Sequence, residues 1–420
     1  MNENEQKSLE IYKKKFEAEP SLFNDFQAMD YIKLLKNDGY DKEAIEIGRV
    51  FFSECPDLER YKNHFGYALY NVYVNLDNEV IKENEEAFYS AVEEIASVCK
   101  QERYSPLEPT LNKAIKYILH MNTVNYEKLL WVLDYLDVSL LSSQPFVNAE
   151  GKEFESKKER YYRLKIRALF ETKQFAECIT FANNALALSL DWHYNALQWV
   201  KYYRGCSLVE EGHYEEAERE FLTLQNRIRG VNFFEVLYRV YSNLDQNKKA
   251  NAYLLYEFFE KGFDASLFDL YQRLLAATKL TNNEVLIEIV DIFISKLAKE
   301  NNLAYETIKE YPEDHKYAAL SADELYDGMY NLIMKNIKEY VDRVQGTIVH
   351  YNTNKKFGTI STPDEEGIFF KQADYVYDEE VQRRDVVEYT ILPTYDTKKA
   401  RITAKAILIT TIEEYMHYGY

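Results

Sequence analysis

Histidine, cysteine and clustered carboxylates are the side chains that most often hold metals or move protons, and in this 420-residue chain they are dispersed. His64, His120, His193, His213, His315, His350 and His417 fall in no common pattern. Cys55, Cys99, Cys178 and Cys206 form no CxxC pair and meet no matching His set, so they read as small half-buried helical thiols. No Walker loop, dinucleotide glycine fingerprint, HExxH or nucleophile elbow occurs. Glu313-Asp314-His315-Lys316 gathers acid and base groups, but without strand context or a second acidic ligand it reads as a solvated turn. Glu83, Glu85 and Glu86, like Glu215 and Glu216, read as solvated helix faces. The expectation is a protein without catalysis, cofactor or metal; an enzyme of unrecognised type is the third alternative.

The elements that would position any site are mostly helical. Gly (13) and Pro (8) together are about 5% of the chain, against roughly 12% on average. That excludes collagen-like, Pro/Gly-rich disordered and turn-dense all-β chains. The 37 Tyr and 23 Phe supply material for packed cores, so the chain is not intrinsically disordered. From residue 7 to about 342, apolar residues recur at three- and four-residue spacing, as in Leu129-Val132-Leu133-Leu136. Breaks are short, at Pro56-Asp57 and Ser105-Pro106; residues 142–158 read as a long loop. A final helix, capped by Ser321 or Asp323, runs almost directly into the first strand of the C-terminal segment. Tyr161-Tyr162, Tyr202-Tyr203, Tyr238 and Tyr241 read as rings packed inwards with hydroxyls at the wet edge.

Small residues recur in the helices at intervals that carry geometry, because helix backbones approach closely only at Gly or Ala. Gly205-x2-Leu208, Tyr214-x2-Ala217 and Ala217-x3-Phe221 set a register. Asn247-x2-Ala250-x3-Leu254 repeats it 33 residues on, and Phe175-x2-Cys178-x3-Ala182 precedes it by 39. Near the start, Gly39-Tyr40 and Ala44 are followed by Pro56 and by Gly66. These matches resemble the tetratricopeptide repeat family over about half of residues 25–265, with 197–229 the strongest unit. An α-solenoid of another sort stays open beside it. Either form implies stacked antiparallel helix pairs with a curved surface for a protein partner.

After Tyr340 the hydrophobic period changes to two and β-branched residues dominate. Five short segments, 346–351, 357–361, 367–373, 386–392 and 400–409, fit a small closed all-β barrel. The stretch from Gly346 to Ile360, GTIVHYNTNKKFGTI, resembles the opening of a cold-shock domain, G-x-V-x-W-F-N-x-x-K-G-F-G-F-I. Ile368-Phe369-Phe370-Lys371-Gln372 stands where that family has V-F-V-H-F. Gly346, Asn352, Lys355, Phe357, Gly358, Ile360 and Phe369 match directly, and the resemblance covers 344–410. It implies an OB-type fold that binds single-stranded RNA or DNA.

In such domains outward rings on adjacent strands stack on splayed bases, each worth roughly 1–3 kcal/mol, and lysines neutralise phosphates. The resemblance points here to His350, Phe357 and Phe369 as platform, with Asn352, Lys355, Lys356 and Lys371 around it and Lys398, Lys399 and Arg401 extending the basic edge. His350 stands at the family's Trp, Thr359 and Gln372 at two aromatic positions, Lys371 at a His, and Lys356 at a Gly. A smaller stacking surface with more charge is therefore expected.

The expected fold is mainly α, with antiparallel TPR-like helix pairs and a C-terminal five-stranded OB/cold-shock-like barrel. The expected segments are helical repeats over 1–160 and 161–342, the barrel over 343–412 and a tail at 413–420. The expected role is a non-catalytic adaptor, its helices holding a protein partner and its barrel single-stranded nucleic acid, preferably RNA. The alternative is a protein-only scaffold whose barrel docks on its own helices or on a partner. A polar, charged start and the lack of an apolar run long enough to span a bilayer favour the cytoplasm and no membrane. By analogy of architecture, the combination suggests a bacterial regulatory or conflict system. The net charge of −19 divides unevenly: residues 1–340 hold 41 basic and 57 acidic side chains, and residues 341–420 hold 10 and 13. Acidity therefore argues against nucleic acid only for the helices, which suit a basic protein partner.

Overall fold

The computed structural model describes residues 3–225, 227–281, 283–305, 311–312, 315–317, 319–361, 367–376 and 381–412. Glu313, Asp314, His417 and the 413–420 tail lie outside the described residues. Two compact units divide the chain, Met1–Val200 and Lys201–Tyr420. Among the described residues the secondary structure is eighteen α-helices, four short 3-10 turns, a π turn, a two-residue-strand hairpin and five longer strands.

The first unit carries α1 (Glu3–Ala18), α2 (Asp25–Asn37), α3 (Asp41–Glu54) and α4 (Lys62–Leu69), the last running into a π turn. Next come α5 (Asn78–Glu83), α6 (Glu85–Val98), α7 (Leu107–His120), α8 (Tyr126–Leu133), α9 (Lys157–Glu171) and α10 (Phe175–Ala187). Then α11 (Ala196–Glu210) carries the boundary. The second unit continues with α12 (Tyr214–Leu224), α13 (Phe233–Asn243), α14 (Asn247–Lys261), α15 (Phe268–Lys279), α16 (Glu284–Glu300), α17 (Ala322–Lys335) and α18 (Ile337–Tyr340).

Four helix pairs, α2/α3, α9/α10, α11/α12 and α13/α14, are joined by one and the same turn. Each places a residue in the left-handed region: Gly39 (φ 85°), Lys173 (60°), Gly212 (79°) and Asp245 (56°). The next N–H reaches back to close the first helix, Tyr40 to Leu35 O at 2.9 Å, Gln174 to Leu169 at 2.8 Å, His213 to Leu208 at 2.8 Å and Gln246 to Tyr241 at 2.9 Å. The carbonyl of that same residue then accepts the first bond of the second helix, from Ala44, Cys178, Ala217 and Ala250. All four of these small side chains are at most 1% exposed. They are the residues whose spacing set the register in the sequence, so that spacing marks where the second helix of each pair leaves the turn. At Gly205 on α11, a Cβ would lie 2.7 Å from the Phe221 ring of α12, which is why only glycine fits that crossing.

Two local features differ from the sequence reading. Residues 142–158 are not all loop: Phe146–Val147 pairs with Glu153–Phe154, because Asn148 Oδ1 accepts the N–H groups of Glu150 and Lys152 and folds the turn. The final helix is broken: α17 starts on a Ser321–Glu324 capping box and ends at Asn336, which separates it from α18. Tyr161, Tyr162 and Tyr241 are buried as expected, and Tyr241 stacks on Tyr253 at 5.5 Å. No helix among the described residues is long and apolar enough to cross a membrane.

The second unit ends in a closed five-stranded barrel of β1 (Val344–Asn352), β2 (Phe357–Ser361), β3 (Ile368–Lys371), β4 (Val386–Asp396) and β5 (Arg401–Thr411). The strand order is β1-β2-β3-β5-β4, closing back on β1, with β3 and β5 parallel at Phe369 and Lys405 and the other pairs antiparallel. This is an OB-like arrangement, and closure leaves no free strand edge. Inward residues, including Ile348, Ile360, Ile368, Phe370, Val387, Tyr389 and Ile409, fill its interior.

Candidate nucleic-acid interface

Strand alternation sorts the C-terminal residues between two faces. On β2, Gly358 and Ile360 point inwards and are buried, which turns Phe357 and Thr359 outwards. On β3, Ile368 and Phe370 are buried, so Phe369 and Lys371 face out. Gly358 is confined to glycine by crowding: a Cβ there would lie 2.3 Å from the His350 carbonyl and 2.7 Å from the Phe370 ring.

Register then sets the outward residues in two rows. Asn352 lies opposite Phe357, and Phe357 opposite Lys371. His350 lies opposite Thr359, and Thr359 opposite Phe369. The Phe357 and Phe369 rings sit diagonally, with centroids 5.8 Å apart and planes tilted by 39°. Phe369 is 37% exposed and Phe357 half-buried beside it. A register shift between Ile348 and His350 bulges β1 and exposes the imidazole. Asn352 acts on the β1–β2 turn, its Oδ1 accepting the Lys355 N–H at 2.9 Å. In that turn Lys356 takes φ 52°, a left-handed conformation costing a non-glycine residue about 1–2 kcal/mol. Lys355 and Lys356 are both exposed.

The β4–β5 turn supplies the second basic group. Asp396 Oδ1 accepts the N–H groups of Lys398 (2.9 Å) and Lys399 (3.2 Å). These bonds, that from Lys399 foremost, hold the Asp396 carboxyl below the usual carboxylate range. The one acid of the turn is thereby committed to the backbone, while Lys398, Lys399 and Arg401 stay exposed. Two clefts adjoin here. One, of about 580 Å³, is lined by Lys355, Lys356, Phe357, Phe369 and Lys371 among others. The other, of about 1290 Å³, is lined by Phe369, Lys371, Lys398 and Lys399 together with residues of α13 and α14. Of the ten sequence-selected residues, seven line these clefts, whereas His350, Asn352 and Arg401 do not.

The adjoining side of the barrel, which begins at Lys405 beside Phe369 on the neighbouring strand, is held by the helices of its own unit. Tyr253 of α14 donates to Pro393 O at 3.2 Å, Thr394 Oγ1 to Gln225 Oε1 at 3.4 Å, and the Arg227 guanidinium lies 5.3 Å from the Tyr395 ring centre. Tyr330 of α17 donates to Val376 O at 2.8 Å. The tightest tie is charged. The Tyr256 hydroxyl and Lys405 Nζ each donate to Asp374 Oδ1 at 2.6 Å, and Lys405 also reaches the Tyr256 oxygen at 3.0 Å. The Lys371 N–H donates to the other carboxylate oxygen at 2.6 Å. Burial, and next the Asp374 charge, push the Tyr256 hydroxyl well above the usual phenol range. Arg343 closes the base of the barrel, donating to the carbonyls of Leu408 (2.5 Å) and Glu388 (2.9 Å).

Sequence reasoning missed this docking set. Lys405 carried a signal, as the one charge in the apolar run Ile402–Ile409, but Tyr256 is one aromatic among many in a helix. Comparison with protein-family models and with curated proteins finds no match for the chain.

Proposed function

We propose that the chain is a non-catalytic binding adaptor, whose barrel takes single-stranded nucleic acid, preferably RNA, and whose helical array takes a protein partner. The observation that carries this reading is the Phe357–Phe369 pair, outward on adjacent strands and bordered by Lys355, Lys356 and Lys371. Two rings at that spacing offer faces for two splayed bases, and the lysines offer charge for the intervening phosphates. The cold-shock resemblance gains support from the same turn: Lys356, which replaces that family's Gly, sits at a left-handed φ that glycine adopts freely. The four identical helix turns support a tetratricopeptide-like array. Its acidic balance suits a basic protein partner. A cytoplasmic, bacterial regulatory setting is the compartment and context we assign to such an adaptor.

Titration of a labelled pyrimidine-rich single-stranded RNA tests the reading. Binding should appear at low salt and weaken as salt rises, and Phe357→Ala with Phe369→Ala should cost about 2–6 kcal/mol. No salt-dependent binding at low salt overturns it. A second reading, a protein-only scaffold, is favoured by the docking of β4, β5 and Asp374 onto the helices. Purification with and without nuclease separates the two: nucleic acid should co-purify only under the first.

A further inference from the structure

Resting on the nucleic-acid reading, we infer that the bound strand runs past Phe369 into the cleft between the barrel and α13–α14, so that the helices form the second wall of the site. The two clefts share Phe369 and Lys371 and so lie side by side, one reaching the β1–β2 turn and the other the helices. The larger one, about 1290 Å³, exceeds the roughly 300–1,000 Å³ of small-molecule sites and suits an oligomer.

The wall chemistry matches that occupant. Half-buried Phe234 on α13 packs edge-on against Tyr256 of α14 at 5.3 Å, placing an aromatic surface across the cleft from the barrel. Lys261, exposed at the end of α14, adds a cation to Lys398 and Lys399 on the facing side. Acids on the same walls are mostly engaged elsewhere. Asp374 holds Lys405 and Tyr256; buried Glu257 accepts from Asn232 at 2.7 Å and Arg273 at 3.4 Å; Asp396 is bound to its own turn. Exposed Glu260 is the remaining carboxylate of the lining. In a chain of charge −19, a groove whose free charges are mainly lysine selects a polyanion, and its rings on both walls select unpaired bases.

The test is a length series on the full chain, using labelled oligouridylates of three and nine nucleotides. The wild type should bind the nonamer with a steeper salt dependence than the trimer, since more phosphates are neutralised. Phe234→Ala with Lys261→Gln should weaken the nonamer at least about tenfold, the equivalent of one lost stack, and leave the trimer within about twofold. Lys261→Gln alone, which alters only an exposed side chain, should lower the nonamer's salt slope. If both variants bind the nonamer as the wild type does, the helical wall is not part of the site and the barrel reading stands. If the wild type binds neither oligomer, the barrel reading falls and this inference with it.

Discussion

The two sides of the barrel obey the same alternation and meet opposite fates. On the side of β4, β5 and Asp374, outward polar groups meet partners on the helices at several points, most tightly at Tyr256, Asp374 and Lys405, where the carboxylate is fully buried. On the side of β1, β2 and β3, the outward groups include two neighbouring rings, Phe357 and Phe369, and the lysines beside them, which the fold leaves at least partly accessible. The difference teaches that exposure here is selective. A barrel needing only to be held has no use for Phe357 and Phe369 beside each other on its outer face. One needing only to bind would not bury a carboxylate against a helix.

Variants on the two sides should therefore fail in different ways. The largest effect is expected at Asp374. Its side chain is fully buried, and Asp374→Ala strands the Lys405 ammonium, so urea unfolding should report a loss of about 3–5 kcal/mol. A variant as stable as the parent would break the contrast. Tyr256→Phe removes one hydrogen bond to that carboxylate and should cost about 1.5–3 kcal/mol at neutral pH. Its pH dependence has a defined sign. The Tyr256 pKa is raised on folding, so its contribution is complete below the ordinary phenol value near 10 and is lost as pH rises beyond it. The gap between parent and variant should stay constant up to about pH 10 and then narrow.

On the open side, Phe369→Ala should weaken RNA by about 1–3 kcal/mol, with a smaller change in unfolding midpoint. Equal losses of stability and binding would merge the two sides into one structural role. The smallest effect belongs to the β4–β5 turn. Lys398→Ala with Lys399→Ala should lower the slope of log affinity against log salt by up to about 0.7 for each phosphate contact removed. An unchanged slope would move the strand's path away from that turn.

How legible each part was follows from how local its cause is. Ala44, Cys178, Ala217 and Ala250 showed themselves because each closes a turn built by residues within nine positions of it. The strands were readable from period two, and Phe357 and Phe369 from the resemblance of residues 344–410 to a cold-shock domain. Docking of the barrel on its own helices stood as an alternative, but its residues were not readable, since Tyr256 and Asp374 lie 118 residues apart and neither spacing nor periodicity links them. The hairpin at Phe146 escaped notice because its strands are two residues long and its turn rests on one side chain, Asn148. Likewise the helical wall of the larger cleft exists only once β3 and α13 are brought together in the folded unit.

Photocrosslinking of a 4-thiouridine-containing single-stranded RNA to the full chain, followed by peptide mapping, puts the central claim to the most direct test. The account predicts crosslinks on the outward residues of β1–β3 and on the β4–β5 turn, removed by Phe357→Ala with Phe369→Ala. Crosslinks confined to the acidic helices, or unaffected by loss of both rings, would contradict it.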